Sequence, residues 1–343
     1  MVIPEVQRYG IVTFEDDLGK QKEALGTKNK NYVHKFKEHV GQLMGPLYRG
    51  DFFAWIAPTG AGKSWWLMWS AKQFREQGLN VLFLSLEMQE QSVLRRFQQM
   101  YYRRTLFGED VALAKFVKDE DGEKYRIVRN KIDAKQLRPD DIEELKRRAI
   151  GRFPHGRLKI VCRSGISIGE LKAILSELKY QSRFVPDAIV LDYADKMTVS
   201  RRVHSERESY GIIWKELRDL ALANNVAMVS ASQTNRAAWG KHFAQEAIAE
   251  DYRKLTEVTG AVGIMADKRD RELGITMLRM LKIRDGCYES RDVYCSSNYH
   301  IGQPCMQSVW AKELELPENG GEYGEIGARR AARRGLSRSG RKI

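Results

Sequence analysis

Short apolar runs recur along the chain from Phe52 onward, and helix-length amphipathic stretches separate them. Phe52–Ile56, Val81–Leu86, Leu158–Cys162, Ala188–Leu191, Val226–Ser230 and Ala261–Met265 read as strands. Gln89–Tyr102, Ile168–Gln181 and Glu208–Ala223 read as the helices between them. Strands joined through helices pair in parallel, so the pattern predicts an α/β fold. Its sheet should be mostly parallel and twisted, with helices covering both faces. Beyond Asp267, Thr276–Ile283 and Arg291–Asn298 read as late antiparallel strands.

The flanks and one interruption break this rhythm. Residues 1–45 are polar and Lys-rich, and read as an arm or linker with a short helix near Val33–Met44. A main domain follows over 46–315. Within it, the highly charged stretch from Leu106 to Phe153 reads as a helical surface insertion. Residues 316–343 are Arg, Ala, Gly and Ser with almost nothing to bury, which predicts a basic tail disordered when free. No internal repeat is visible.

One segment carries most of the chemistry. Ala57-Pro58-Thr59-Gly60-Ala61-Gly62-Lys63-Ser64 follows the Phe52–Ile56 run and opens the helical stretch Trp65–Trp69. A strand that turns through Gly-rich backbone into a helix N-terminus aims successive N–H groups and the positive end of the helix dipole at phosphates. Lys63 has the reach for the β- and γ-phosphates of ATP, and the Ser64 hydroxyl suits Mg²⁺. Ala57 stands where the strict phosphate-loop pattern has its first Gly, at little cost, because the later glycines make the tight turn.

Charge adds a partner class. The chain has 343 residues and a formal net charge of +13, an excess that favours a polyanion such as nucleic acid and also suits an acidic membrane surface. With 43% hydrophobic residues, there is ample material for one large core. No apolar stretch is long enough to span a bilayer, and Met1–Glu5 has an early acid and no hydrophobic signal core. Cys162, Cys287, Cys295 and Cys305 lack metal-ligand spacing and read as reduced, unpaired thiols in a cytoplasm.

Strand ends supply the remaining candidates. Asp192 closes the Ala188–Leu191 strand, placed beside the phosphate-loop strand to hold the Mg²⁺ shell. Alone it would read as a solvated turn acid. Glu87 ends a neighbouring strand within reach of a water attacking the γ-phosphate, although an isolated acid there serves equally as a helix-start charge. Gln233 sits at a strand tip, where an amide can report a terminal phosphate. Lys282 and Arg284 project from one face before the Asp285-Gly286 turn, as two cations able to enter a neighbour's phosphate site or simply to be solvated.

Taken together, these segments resemble the ATPase domain of the DnaB-family replicative helicases, within the RecA-like group. The resemblance runs from about Gly50 to about Asp285. It rests on Arg49-Gly50-Asp51, Val81 through Met88, Ile189 through Tyr193, Lys215 through Ala221 with Ser232 through Arg236, and Lys282-x-Arg284-Asp285-Gly286. It implies a RecA-like core, Glu87 as catalytic carboxylate, Gln233 as sensor, and Lys282 and Arg284 acting in trans in a ring, here a homo-hexamer. Single-stranded DNA or a forked duplex would be the substrate, gripped by Arg201, Arg202 and Arg207 after the Mg²⁺ strand. Arg236, Lys241 or Arg253, with Trp239 and His242 nearby, would grip it after the sensor strand.

Departures sharpen the expectation. Ala194-Asp195-Lys196 replaces the usual Leu-Gln-Leu after the Asp-Tyr pair. The family's helical N-terminal domain, used for primase contact, has no counterpart in so short an N-terminal region. The expectation is therefore a short phage-type form, with contacts to other replication proteins made by another route. A RecA- or RadA-like recombinase or switch ATPase is the alternative. A basic DNA-binding protein with a structural phosphate loop is a third, against which Glu87 and Asp192 argue.

Overall fold

Among the described residues, nine strands form the main sheet, in the order β13-β12-β11-β10-β3-β9-β8-β4-β7. The phosphate-loop strand β3 (Phe52–Ala57) lies inside it, flanked by β9 (Ala227–Gln233) and β10 (Gly260–Met265). Beyond β9 come β8 (Ala188–Asp192), β4 (Val81–Ser85) and β7 (Leu158–Cys162), all parallel. On the other side, β11 (Ile275–Ile283), β12 (Asp292–Ser296) and β13 (Ser308–Trp310) run antiparallel in turn. The computed structural model describes residues 32–149, 156–199, 203, 205–234, 252–284 and 292–317.

The parallel strands read as continuous apolar runs because both faces are covered. Phe53, Trp55 and Ala57 point into one core, and Phe52, Ala54 and Ile56 into the other. Helices α2 (Lys63–Glu76) and α3 (Glu90–Tyr102) cover the first face, with Trp66, Phe74, Val93 and Phe97 in its core. Helices α5 (Ile168–Ser182) and α6 (Glu206–Ala223) cover the second, through Leu171, Ile213, Trp214 and Leu217. Burying one such large apolar side chain contributes roughly 1.5–3 kcal/mol.

Three sequence expectations change. The first puts Asp192 and Glu87 on strands next to the phosphate loop, but β9 separates β3 from β8, and β4 lies one strand further out. A helical crossover need not end on the adjacent strand, and here the crossover through α2 leaves room for two strands that arrive later.

The charged insertion is not helical over most of its length. It is an antiparallel hairpin of β5 (Glu109–Lys118) and β6 (Tyr125–Ala134), followed by α4 (Ile142–Ala149). Ala114 and Phe116 face a small core with Ile275, Val309 and Leu314, whereas Lys115 and Val117 between and beyond them are exposed. The Asp119 carboxylate accepts from the Glu123 and Lys124 backbone N–H groups, and Gly122 supplies a φ of +75° in the turn. Strand β14 (Leu314–Glu315) extends this small sheet beside β6.

Near the N-terminus, the expected helix spans only α1 (Glu38–Met44), preceded by β1 (Tyr32–His34) and followed by β2 (Leu47–Tyr48). Phe36, Val40, Leu43 and Met44 join the main core instead of staying solvated. The Glu38 carboxylate accepts from both the backbone N–H and the hydroxyl of Ser308, tying α1 to β13. The expected arm before residue 32 and the tail after 317 lie outside the described residues.

His34 is the unusual member of this region. The residue is 1% exposed, its ring packs edge-on against Phe36 and Phe74, and neither ring nitrogen has a hydrogen-bond partner among the described residues. Burial, with the nearby Lys37 charge, lowers its pKa to about 4. The unfolded chain therefore takes up this proton first as pH falls, so stability is complete above about pH 6.5 and declines below it. At pH 5 the loss should be about 2 kcal/mol relative to neutral pH. Urea unfolding at pH 7 and pH 5 tests this: His34→Leu should remove that share of the decline, and an unchanged decline would contradict it.

Candidate nucleotide site and its neighbours

The site is built where β3 hands over to α2. Gly60 and Gly62 take φ values of +80° and +90°, a region that L side chains avoid. Gly62 is required on a second count, because a Cβ there would lie 2.9 Å from the Tyr299 ring. Tyr299 is fixed in turn by Trp66 Nε1, 3.3 Å from its hydroxyl, and by the Thr276 hydroxyl at 3.4 Å. A rigid aromatic wall thus backs the loop.

Lys63 is buried, and its Nζ donates to the carbonyls of Ala57 and Pro58 at 3.2 and 3.1 Å. Burial lowers its pKa, while Asp192, Asp195 and Glu87 act in the opposite direction. The ammonium thus lies against the loop that would hold phosphates, with Thr59 and Gly60 exposed at the loop tip. Next to it, the Ser64 hydroxyl donates to Asp192 Oδ1 at 3.1 Å.

Asp192 is fully buried, and its Oδ2 has no hydrogen-bond partner among the described residues. Burial pushes its pKa up to about 6, opposed by the Ser64 hydrogen bond and reinforced by the Glu87 charge. A desolvated carboxylate oxygen without a partner, next to a hydroxyl, fits a divalent cation. Among the described residues no cluster of three His, Cys, Asp or Glu could hold a metal. Mg²⁺ needs none, since it keeps several waters and binds through one or two protein groups plus phosphates.

Strand register brings the other candidates to the same edge. Ser85 pairs with Asp192, so Glu87 emerges two residues later beside the buried carboxylate, itself exposed. The Leu86 N–H donates to the Asp192 carbonyl at 2.8 Å, and the Met88 N–H to the Ser85 hydroxyl at 3.2 Å, which fixes the turn carrying Glu87. Gln233 pairs with Ala57, the first residue of the loop. Its side-chain oxygen accepts from the Tyr193 hydroxyl at 3.4 Å, and Lys63 Nζ lies 5.7 Å from the Tyr193 ring centre. Lys63, Ser64, Glu87, Asp192 and Gln233 are therefore together.

Lys282 and Arg284 are elsewhere. Because β11 is antiparallel to β10, its end pairs with the start of β10, Ile283 with Gly260, which in turn pairs with Phe53 at the start of β3. Both cations lie at the sheet edge opposite the phosphate loop. Lys282 Nζ donates to the carbonyls of Leu255 and Thr256 at 2.6 and 3.1 Å, in the last turn of α7 (Tyr252–Glu257). Burial and the neighbouring Arg284 and Arg218 charges lower its pKa. Arg284 is exposed.

Of the predicted nucleic-acid contacts, Arg207 is exposed in the first turn of α6. Arg201, Arg202, Arg236 and Lys241, with Trp239, His242 and the side chain of Arg253, lie outside the described residues.

Two groups escape a reading of the sequence. Arg96 of α3 lies over the Trp65 ring, 5.3 Å from its centre, and its charge favours ionised Asp192. It is one cation among several on an amphipathic helix, and only the packing of α3 on α2 singles it out. Asp195 stands out in the sequence solely as a departure from a family pattern. Its buried carboxylate meets Lys254 Nζ at 2.9 Å, and no local motif could have paired them across 59 positions.

Comparisons with known proteins bear on the family and the fold. The family model described as the DnaB-like helicase C terminal domain matches residues 36–254. A DnaB-like replicative helicase of Enterobacteria phage T4 is 25% identical over 249 residues, covering 69% of this chain and 48% of its own, so the chain spans about half the length of that relative. Among solved structures, one ATPase domain superposes with a TM-score of 0.63 at 16% identity, covering 85% of this chain and 97% of that one. A DnaB-like replicative helicase, described with its interactions with primase, superposes with a TM-score of 0.63 at 15% identity, covering 84% of this chain and 67% of the other. The fold is thus the RecA-like fold of DnaB-family ATPase domains, and the chain belongs to the DnaB-like helicase C-terminal domain family.

Proposed function

We propose that this chain is the ATP-hydrolysing motor of a ring-forming DNA helicase, a homo-hexamer that moves along single-stranded DNA and separates a forked duplex. The observation that supports the reading is the placement of two groups of candidate residues at opposite ends of the sheet strands. Lys63, Ser64, Glu87, Asp192 and Gln233 converge at one, and Lys282 and Arg284 sit at the other. In this reading a second copy brings its Lys282 and Arg284 to the phosphate loop.

In this reading the loop from Ala57 to Ser64 binds the triphosphate through backbone N–H groups, and Lys63 leaves its two carbonyl partners to pair with phosphate oxygens. Ser64 and Asp192 would hold Mg²⁺, which when bound neutralises charge on the phosphates. Glu87, exposed beside Asp192, orients the attacking water and accepts its proton. Gln233 contacts the terminal phosphate and relays its presence through Tyr193. Arg284 of the adjacent subunit stabilises charge on the transferred group, with Lys282 beside it.

DNA would follow the inner loops, with Arg201, Arg202 and Arg207 on one and Arg236 and Lys241 on the other, and the basic C-terminal residues would add salt-sensitive affinity. Other replication proteins are expected partners, within a bacterial cytoplasm or a phage-infected host. Electron microscopy with ATP, Mg²⁺ and a forked oligonucleotide tests the assembly. Closed rings with one strand threaded through are expected; helical filaments, or single copies that hydrolyse ATP at full rate, would overturn the reading.

A further inference from the structure

Behind the sensor strand lies a buried ion pair that the catalytic steps do not use. Asp195 and Lys254 meet at 2.9 Å with side chains only 8% and 7% exposed. The Asp195 carboxylate accepts from Trp214 Nε1 on Oδ1 at 3.0 Å, and from the Ser232 hydroxyl on Oδ2 at 3.0 Å. The Gln233 backbone N–H also points at Oδ2, at 3.4 Å. Lys254 Nζ donates to Ser232 Oγ at 2.9 Å and lies 4.3 Å from the centre of the Tyr210 ring. One carboxylate thus gathers the turn after β8, the tip of β9, α6 and α7.

The chain positions of these groups matter. Asp195 lies three residues after Asp192 and two after Tyr193, and Ser232 precedes Gln233. Lys254 stands just after residues 235–251, and Asp195 just before residues 200–202. These two stretches carry four of the predicted DNA-contacting cations, Arg201, Arg202, Arg236 and Lys241. The cluster therefore touches the strand tip that carries Gln233, and its two charged members stand close in sequence to the two stretches expected to bind DNA.

Energetics argue against a purely stabilising role. Desolvating two charges consumes most of what their attraction returns, and an apolar pair of similar volume often serves stability equally well. A buried pair of this kind does fix geometry, since each partner is satisfied in one arrangement only. We infer that Asp195 and Lys254 are positioning residues that hold Gln233 against the phosphate site and couple it to the segments that grip DNA. The inference rests on the proposed reading of the chain as a DNA-stimulated ATPase.

Single substitutions would strand a buried charge and destabilise the fold, so the informative variant is Asp195→Asn with Lys254→Met, which removes both charges together. It is compared with the full-length parent in thermal unfolding, ATP binding, and hydrolysis with and without a single-stranded oligonucleotide. The expected result is a folded variant with a KM for ATP within about threefold of the parent, because the phosphate loop is untouched. Its stimulation by DNA should fall at least about tenfold, since the loss lies in coupling and not in binding. A folded double variant that keeps full stimulation overturns the inference while leaving the functional reading intact. A parent that hydrolyses ATP with no response to DNA overturns both, and the two failures are told apart by which protein shows them.

Discussion

Replacing Arg284 with alanine should abolish DNA-stimulated ATP hydrolysis while ATP binding persists. The argument is one of distance. Ile283 pairs through Gly260 with Phe53, whereas the phosphate loop leaves β3 at Ala57. Four strand residues at about 3.3 Å each put roughly 13 Å of sheet between the two edges. A guanidinium on the far edge does not reach the chain's own phosphates, so any role in hydrolysis is played in a neighbour. An arginine supplied in this way contributes roughly 10³–10⁵ in rate.

Subunit mixing separates a trans role from a local one. Arg284→Ala chains keep an intact phosphate loop, and Lys63→Ala chains keep an intact Arg284. If the cation acts across the seam, mixtures of these two inactive proteins regain turnover, because an intact loop then faces an intact arginine at some seams. Mixtures that stay inactive, or an Arg284→Ala protein with normal turnover, would refute the assignment. Lys282 should behave differently, since its ammonium already holds the carbonyls at the end of α7. Its replacement should also loosen that helix end.

Glu87→Gln is the second large effect. The residue is exposed and nearly isosteric with glutamine, so stability should move by less than about 0.5 kcal/mol. Its neighbours Asp192 and Lys63 feel its charge, which puts the carboxylate within electrostatic range of the phosphate site. Losing a positioned general base should lower turnover by roughly 10²–10⁴, with ATP affinity retained. Single-turnover hydrolysis beside a fluorescent-nucleotide binding assay checks both halves. Turnover within about threefold of the parent would place the base elsewhere.

Much of this is legible in the chain. Phe52–Ile56 and Ala188–Leu191 announce parallel strands because a sheet buried on both faces must be apolar without alternation. The Gly60–Ser64 turn announces its own geometry, since only glycine adopts the positive φ values found at 60 and 62 without strain. The β5–β6 hairpin also has a signal, in Asp121-Gly122 between alternating segments, but the density of charge around it obscures the period and suggests a helix instead.

Strand order is a different matter. Local pattern says that β3, β4, β8 and β9 exist, and says nothing of β9 lying between β3 and β8. That order follows from how helices of given length and face pack over a twisted sheet, a property of the whole assembly of elements.

The sequence by itself determined the elements, the phosphate loop and the chemical type of each strand-end residue, because these depend on neighbours a few positions away. Only the tertiary structure decided which strand ends share an edge. It put Asp192 Oδ1 within 3.1 Å of Ser64 Oγ, set Lys282 and Arg284 on the opposite side, and buried Asp195 against Lys254. Such contacts join residues far apart along the chain, and they form only when packing both faces of one sheet leaves a single way to bring them together.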